Sequence, residues 1–497
     1  MQTKGRLQRW INSSLSREKT HLSQSKLESF TTMAAAIFSL LIFCTSLLIS
    51  PSSSSPISGL QILQAERQID LTSHIVRVYM TLKVENIGDD PASKVLLAFP
   101  PSQFDHLSFV KAATTVGKKR KKSYVPLEVN PAEQSQPDSP NGTKYYAISL
   151  INSLPKGETT TLEIFYVLTH SLDPFPVEIS QSESQLVYYR DSAVILSPYN
   201  IKQQASVVKT PTSKVESFTQ VGPTHQSGSE LRYGPYEDRE PYSYSPVIVH
   251  FENNHPFAVV EELEREIEIS HWGSVQVTEH YKLANAGAKH KGFSRLDYQS
   301  NPTSSGASSF KHLLAELPAG VHSVYYRDNI GNISSSRLRV NSKKSELFIE
   351  PRYPLFGGWK STFVIGYGVP LQDFLFESDD GARYLNYTFG CPLADTIVDK
   401  LTIKVVLPEG SKDPSIKIPF EVEQSLETKH SYLDVIGRPV VVLKKNNVVP
   451  EHNVPFQVHY KFNPIFMLAE PLMLTSAFFL FFITCVAYLH IDLSLRK

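Results

Sequence analysis

Forty-nine acidic side chains and sixteen histidines are enough material for acid–base or metal chemistry. No spacing organises them. A zinc hydrolase of the common helical type needs two histidines one turn apart with a glutamate between, and no His-Glu-x-x-His occurs. A nucleophilic serine on a strand-to-helix elbow needs Gly-x-Ser-x-Gly, which is absent. There is no phosphate-cradling Walker loop and no dinucleotide fingerprint, since the pair Gly357-Gly358 stands alone. No Asp-x-Asp is present. Asp89-Asp90 and Asp379-Asp380 adjoin proline or glycine and read as turns. The residues with a defined chemical fate are acceptors. Asn141-Gly142-Thr143, Asn332-Ile333-Ser334 and Asn386-Tyr387-Thr388 are N-glycosylation sequons. Asn12-Ser13-Ser14 matches as well but precedes the expected cleavage point.

Three aromatic stretches are the other candidates. Tyr325-Tyr326-Arg327-Asp328 leads into a turn, Tyr353 to Lys360 (YPLFGGWK) is dense and apolar, and His271-Trp272 lies near the middle of the chain. Such residues either fill cores and strand ends or form an interface patch, where Tyr, Trp and Arg are over-represented. On the second reading Tyr325, Tyr326, Arg327, Arg352, Phe356 and Trp359 are the contact residues, with the two arginines as anchors. No cofactor-binding or metal-binding residues are expected.

The elements that position these residues are strands. The 497-residue chain has zero net charge, which gives a nucleic-acid partner no electrostatic support. Twenty-seven Phe, 23 Tyr and 33 Pro suit β-rich domains with many turns. Alternating apolar residues predict strands around Ile69 to Val84, Lys94 to Phe99, Tyr146 to Ile151, Thr160 to Thr169, Gln185 to Tyr189, Ala193 to Leu196 and Val247 to Phe251. Asn86 to Pro91, His271 to Gly273, Leu317 to Gly320 and Asp328 to Asn332 predict turns. Lys214 to Tyr244 reads as a soft, polar stretch. The basic run Lys118 to Lys122 reads as a solvated loop. Cys391 reads as a buried thiol, since Cys44 and Cys485 lie in apolar runs and leave it no partner.

Glu264-Arg265-Glu266-Ile267-Glu268-Ile269 echoes Glu66-Arg67-Gln68-Ile69-Asp70-Leu71 at an offset of 198. Leu82 to Gly88 matches Tyr281 to Gly287 at 199, Gly157 to Tyr166 matches Gly358 to Tyr367 at 201, and Asn254 to Val259 matches Asn453 to Val458 at 199. Chance matches scatter in offset, and these do not, so the chain reads as a tandem duplication. The charges of Glu264, Arg265 and Glu266 read as one solvent-facing or domain-facing side of a structural strand.

Ala34 to Ile49 is a short apolar run behind a basic segment and before a Ser/Pro stretch, which reads as a secretory signal peptide; Met1 or Met33 could start the chain. Pro471 to Leu489 is long enough to cross a bilayer, with Thr475, Ser476 and Thr484 able to bond back to their own backbone. The resulting organisation is an N-terminal extension and signal peptide over 1–58 and a β-rich luminal domain over 59–260. A second such domain covers 261–465, packed closely for want of a linker. A membrane-proximal segment and transmembrane helix over 466–489 and a cytosolic tail over 490–497 complete it. The fold class is mainly β, β-sandwich-like, with some α.

Glu264 to Gly273, Gly292 to Gln299 (GFSRLDYQ), Val324 to Asn332 (VYYRDNIGN), Pro351 to Tyr367, Leu407 to Gly410, Tyr432 to Asp434 and Gly437 to Val440 strongly resemble the ribophorin I family, from about Leu60 to the end of the span. That resemblance implies a non-catalytic subunit of the oligosaccharyltransferase complex, which moves a preassembled glycan from dolichyl diphosphate to Asn of Asn-x-Ser/Thr in nascent proteins. It implies a single-pass type I protein of the endoplasmic reticulum membrane, with its bulk luminal. Its partners would be the other subunits, including the multi-spanning catalytic one, together with nascent polypeptides and membrane lipid. The catalytic subunit's Trp-Trp-Asp-Tyr-Gly motif does not occur here. Animal members carry a sizeable cytosolic domain after the span, whereas eight residues follow it here, so direct ribosome contact is doubtful. The alternative from the residues alone is a type I receptor or adhesion protein with two β-domains.

Overall fold

The computed structural model describes residues 59–116, 123–132, 139–301, 306–341, 343–378, 381–431 and 434–490. The expected signal peptide, the basic run Lys118 to Lys122, the pair Asp379-Asp380 and the tail after residue 490 lie outside the described residues. The described chain is mainly β, with one long helix at its C-terminal end.

Two large sheets dominate. The first contains β1 (Leu60–Asp70), β2 (Val76–Asn86), β3 (Leu107–Val116), β4 (Ser123–Leu127), β5 (Thr159–Leu168), β6 (Ile201–Lys209), β7 (Thr224–Ser227) and β8 (Glu230–Arg239). Its order across the sheet is β7-β8-β6-β1-β2-β5-β3-β4. The second contains β9 (Ala258–Ser270), β10 (Ser274–Asn285), β11 (His322–Asp328), β12 (Lys360–Pro370), β13 (Ile397–Val406), β14 (Glu423–Lys429) and β15 (Arg438–Val448). Its order is β14-β15-β13-β9-β10-β12-β11. Strand for strand the orders coincide, except that β4 has no counterpart. Both place one parallel pair, β1 with β6 and β9 with β13, among antiparallel neighbours.

Two smaller sheets accompany each large one, again in one order. Ala92–Phe99, Lys144–Leu154 and Val129–Ala132 correspond to Leu313–Leu317, Ser345–Ile349 and Arg337–Val340. Val215–Phe218, Pro246–Glu252, Leu186–Ser192 and Leu172–Pro174 correspond to Ser411–Lys417, Pro455–Phe462, Arg383–Thr388 and Leu375–Glu377. Pro455–Phe462 thus answers Pro246–Glu252, and the match of Asn453 to Val458 with Asn254 to Val259 does not hold. In the second half the inward residues of all three sheets share one core. Leu263, Ile267, Tyr281, Ile365 and Leu401 of the large sheet meet Ala315 and Ile349 of one small sheet and Leu385, Phe456 and Val458 of the other. This is the face-to-face packing of a sandwich, with side chains alternating in and out along each strand.

Fine geometry matches too. A β-bulge interrupts β1 between Ile62 and Gln64, and another interrupts β9 between Val260 and Glu262. Asn86 Nδ2 donates to the carbonyls of Asp90 and Leu154, both at 2.8 Å, while its Oδ1 accepts from Gly88 N at 3.0 Å. Asn285 Nδ2 donates to Ser308 O at 2.9 Å and Leu355 O at 3.1 Å, and its Oδ1 accepts from Gly287 N at 3.1 Å. Each buried amide thereby stitches a turn to a neighbouring strand, with both donors used and the oxygen accepting as well.

The boundary read at 260/261 falls within β9, which begins at Ala258. Lys214 to Tyr244, read as soft, holds the paired strand Val215–Phe218 and the hairpin of β7 and β8. Ala193 to Leu196 is buried without being a strand, since Gln204 and Ser206 side chains take its backbone groups.

The halves meet along a seam. Ile75 and Val167 pack with Val259, Ile397 and Val449. Arg77 Nε donates to Glu451 Oε1 at 2.7 Å, Ser108 Oγ to Asn447 O at 2.6 Å and Thr169 Oγ1 to Asn447 Oδ1 at 2.8 Å. His74 and His452 are buried beside this seam.

After Phe462 the chain turns through the 3-10 segment Pro464–Leu468 into the helix Ala469–His490. Twenty-two residues at 1.5 Å span about 33 Å, enough for a hydrocarbon core. Thr475 and Thr484 each donate a hydroxyl to the carbonyl four residues earlier and Ser476 to that three earlier, all at 2.8 Å, so these polar groups are satisfied within the helix.

Candidate functional site

The aromatic candidates come together around β11 and β12. Tyr325 pairs with Gly366 in register and lies flat on it. A Cβ on Gly366 would stand 2.2 Å from the ring, so the glycine is what lets the ring lie there. Arg327 sits over the Tyr325 ring at 5.8 Å. Both side chains are exposed. Arg352 grips Asp328 with two bonds, Nε to Oδ2 at 2.7 Å and Nη2 to Oδ1 at 3.0 Å. Asp328 Oδ1 also accepts from Ile330 N at 2.9 Å and Gly331 N at 3.0 Å, which closes the turn. The Arg352 bond is the main reason the Asp328 carboxyl is held well below the usual carboxylate range.

Tyr326 and Phe356 do not belong to the surface. Strand alternation turns Tyr326 inward, edge-on to Phe363 at 5.3 Å. Phe356 is fully buried under His290, Phe293, Tyr298 and half-buried Trp359. These two support the patch from beneath. Its exposed members are Tyr325, Arg327 and Arg352, joined by Phe293 and Tyr353. The last two border the same cluster through Trp359 at 5.8 Å and 6.1 Å. A depression of about 320 Å³ lined by Asp328, Asn329, Arg352, Tyr353 and Lys360 adjoins them.

The charged residues of the echoed strands behave differently from expectation. Glu264, Glu266 and Glu268 face one side of β9 and pair with Lys404, Lys429 and Arg438. Arg265 lies between them in sequence and so points to the other face, where it is 3% exposed. Its Nε donates to Glu279 Oε1 at 2.7 Å, and its Nη1 donates to the carbonyls of Thr388, Phe389 and Gly390 at 2.9, 3.0 and 2.8 Å. Glu279 also accepts from Tyr281 at 2.6 Å and Tyr367 at 3.1 Å. Burial, the largest single influence, would lower the Arg265 pKa; Glu279 together with Tyr367, Tyr387 and Tyr281 outweighs it and drives the pKa up.

Arg67, 198 residues earlier, sits in an equivalent cluster with Tyr166 and Tyr189, which correspond to Tyr367 and Tyr387. Its Nη1 lies 3.3 Å from Asp191 Oδ2, which also accepts from Tyr189 at 2.9 Å. The acid has moved between halves. Asp191 corresponds to Phe389, and Glu279 corresponds to Met80. Each cluster is enclosed, with charge neutralised and oxygens occupied. Each fastens a large sheet to a neighbouring small one. The signal in the sequence was an arginine at an inward position of an alternating strand, between Ala65 and Ile69 in one copy and between Leu263 and Ile267 in the other.

Cys391 is buried, and burial pushes its thiol up to about 12. Asn141 and Asn332 are exposed beside turns. Asn386 lies in the strand Arg383–Thr388, half-buried between two neighbouring strands, with Oδ1 enclosed.

The ribophorin I family profile matches residues 60–489, the two halves and the helix together. The chain belongs to the ribophorin I family. Dolichyl-diphosphooligosaccharide–protein glycosyltransferase subunit 1B of Arabidopsis thaliana is 65% identical over 466 residues, covering 94% of this chain and 100% of that one. The Oryza sativa subsp. japonica subunit 1B is 63% identical, covering 90% and 95%. The Arabidopsis thaliana subunit 1A is 51% identical, covering 92% of this chain and 74% of its own length. Among solved structures, an M1 zinc metallopeptidase from Deinococcus radiodurans aligns over 42% of this chain and 44% of its own at 14% identity and a TM-score of 0.22, too slight a likeness to argue from.

Proposed function

We propose that this chain is a non-catalytic subunit of an oligosaccharyltransferase complex, held in the endoplasmic reticulum membrane by one span with its β-rich bulk in the lumen. The observation that carries this is the match to glycosyltransferase subunit 1 proteins along the whole described chain, including the helix. The enclosure of the buried carboxylates Asp191 and Glu279 by arginine supports a structural role for the buried charges of both halves. The exposed patch of Tyr325, Arg327, Arg352, Phe293 and Tyr353 is the surface we assign to a neighbouring subunit or a nascent polypeptide, because arginine and aromatic rings suit such contacts. The matching sheet orders support two related domains, divided near residue 258, ahead of the helix.

The test is extraction in mild detergent and isolation of the tagged chain. Recovery with a multi-spanning glycosyltransferase subunit is expected, and recovery of the chain alone overturns the reading. A double substitution, Arg327→Glu with Arg352→Glu, is expected to lower that recovery several-fold while leaving the chain folded.

Glycans are proposed on Asn141 and Asn332. Asn386 is expected to stay bare, since its strand leaves a bulky sugar little room. Removing each sequon in turn by Asn→Gln and comparing gel mobility with and without endoglycosidase H reads this directly. Two shifts that disappear with the first two substitutions are expected; a third that disappears with Asn386→Gln contradicts it.

A further inference from the structure

The end of the second large sheet that carries the helix presents apolar side chains to solvent. β9 and β10 meet there at the turn His271 to Gly273, and Trp272 is 66% exposed. Leu407 N, just past β13, donates to Pro439 O at 2.9 Å, so the loop leading into β15 shares this end. That loop holds Val435 and Ile436, 61% and 55% exposed. The His271 ring stands edge-on to Phe462 at 4.1 Å, and Phe462 is the last strand residue before the helix. Phe466 then packs against Gly410, whose φ of +82° and lack of a side chain admit the ring.

This end is held rigidly against the helix. Glu409 Oε1 accepts from Val435 N and Ile436 N, both at 2.6 Å, which fixes the loop backbone. Arg438 then gathers three carboxylates: Asp434 at 3.0 Å in the loop, Glu268 at 2.8 Å on β9 and Glu470 at 3.0 Å in the first turn of the helix. One guanidinium therefore ties the loop, the sheet and the membrane helix together, so the exposed apolar residues cannot swing away from the bilayer the helix enters.

We propose that Trp272, Val435 and Ile436 dip into the interfacial layer of that bilayer, seating the second half on the membrane at points beside the helix. The occupant is lipid because the patch is continuous with the helix start, where Ile465 and Leu468 are also exposed. An indole is at home among headgroups, and adjacent Val and Ile side chains gain from leaving water. The proposal rests on the reading of Ala469–His490 as a membrane span.

The chain has three tryptophans, Trp10, Trp272 and Trp359, which makes the test direct. Trp359 is hydrogen-bonded through its carbonyl to Asn285 at the far end of β10. Along the twelve residues Ser274–Asn285 the rise places it about 36 Å from the Trp272 turn. The full chain carrying Trp10→Phe and Trp359→Phe is reconstituted into vesicles containing lipid brominated in the upper acyl chain. Trp272 emission is expected to fall at least two-fold relative to vesicles without bromine. The companion chain with Trp10→Phe and Trp272→Phe, reporting Trp359, is expected to be unaffected. Adding Val435→Asp with Ile436→Asp on the exposed loop is expected to restore most of the Trp272 emission. Equal Trp272 emission with and without bromine, in chain that floats with the vesicles after alkaline washing, overturns the proposal while leaving the span intact. Chain that fails to float overturns the span as well. Trp272 that escapes bromine yet is shielded from aqueous acrylamide only in the isolated complex assigns the patch to a partner protein and likewise overturns it.

Discussion

Replacing Arg265 by Met is expected to cost the second half about 3–5 kcal/mol, the usual consequence of leaving one partner of a buried ion pair alone. Glu279 is fully buried and would be left with only two tyrosine hydroxyls to answer it. The carbonyls of Thr388, Phe389 and Gly390 would lose their shared donor at the same time. Urea unfolding of the detergent-solubilised chain, followed by limited proteolysis, measures the loss. The double change Arg265→Met with Glu279→Met is expected to recover about 2 kcal/mol of it, because the pair leaves together and apolar side chains fill the space. A sharper comparison uses the first half as a guide. Glu279→Met with Phe389→Asp rebuilds the arrangement of Met80 and Asp191 around Arg265, and is expected to be milder than Arg265→Met. If all three variants unfold at the parent's urea midpoint, the cluster contributes nothing and the account fails.

Acid is expected to loosen the seam before it unfolds either sheet. His74 Nε2 donates to Ala258 O, 3.1 Å away, and its ring stacks on Phe257. His452 Nδ1 accepts from Val449 N at 3.2 Å, and its ring is edge-on to Phe109 and Phe420. Burial, reinforced at His452 by Lys445 and at His74 by His170, Arg77 and His255, lowers both pKa values from 6.5 to about 4. Between those values the unfolded chain binds a proton that the folded seam refuses. Stability is therefore intact above pH 6.5 and falls as pH drops towards 4, by about 1.4 kcal/mol per unit for each histidine. His452 would also lose its bond from Val449, since a protonated Nδ1 cannot accept. Hydrogen exchange at Ile75, Val167, Val259 and Val449, followed from pH 7 to pH 4.5, is the measurement. Faster exchange at these positions before the sheet centres is expected. His452→Phe should flatten the profile, and an unchanged slope in that variant rules His452 out as a source.

The strands were largely readable because alternation of apolar residues is a local signal that the finished sandwich obeys. The turn at Asn86 was readable for the same reason, as its residues supply turn geometry without help from elsewhere. What escaped was whatever depends on a neighbour far along the chain. Glu264, Arg265 and Glu266 look alike as a string of charge, yet period two sends Arg265 to the opposite face, where only Glu279 makes burial tolerable. Tyr326 and Phe356 carry interface composition, but their side of the strand and the covering rings decide that they lie beneath the patch. β7 and β8 hide in a polar segment because an edge hairpin needs only one apolar face, and its partner β6 lies some distance before it. The aromatic patch was legible as composition, while its exposed membership, including Phe293 and Tyr353, required the fold.

The strand Pro455–Phe462, which hands the chain to the helix, lies between Arg383–Thr388 and Ser411–Lys417 and is bonded on both edges. A tug on the helix along its axis would load those bonds sideways, in shear, so that many must fail together and not one after another as in unzipping. The Arg438 and Glu470 pair adds a second strut that bypasses the connecting turn. The join between the apolar helix and the sheets is thus built as a tensile coupling.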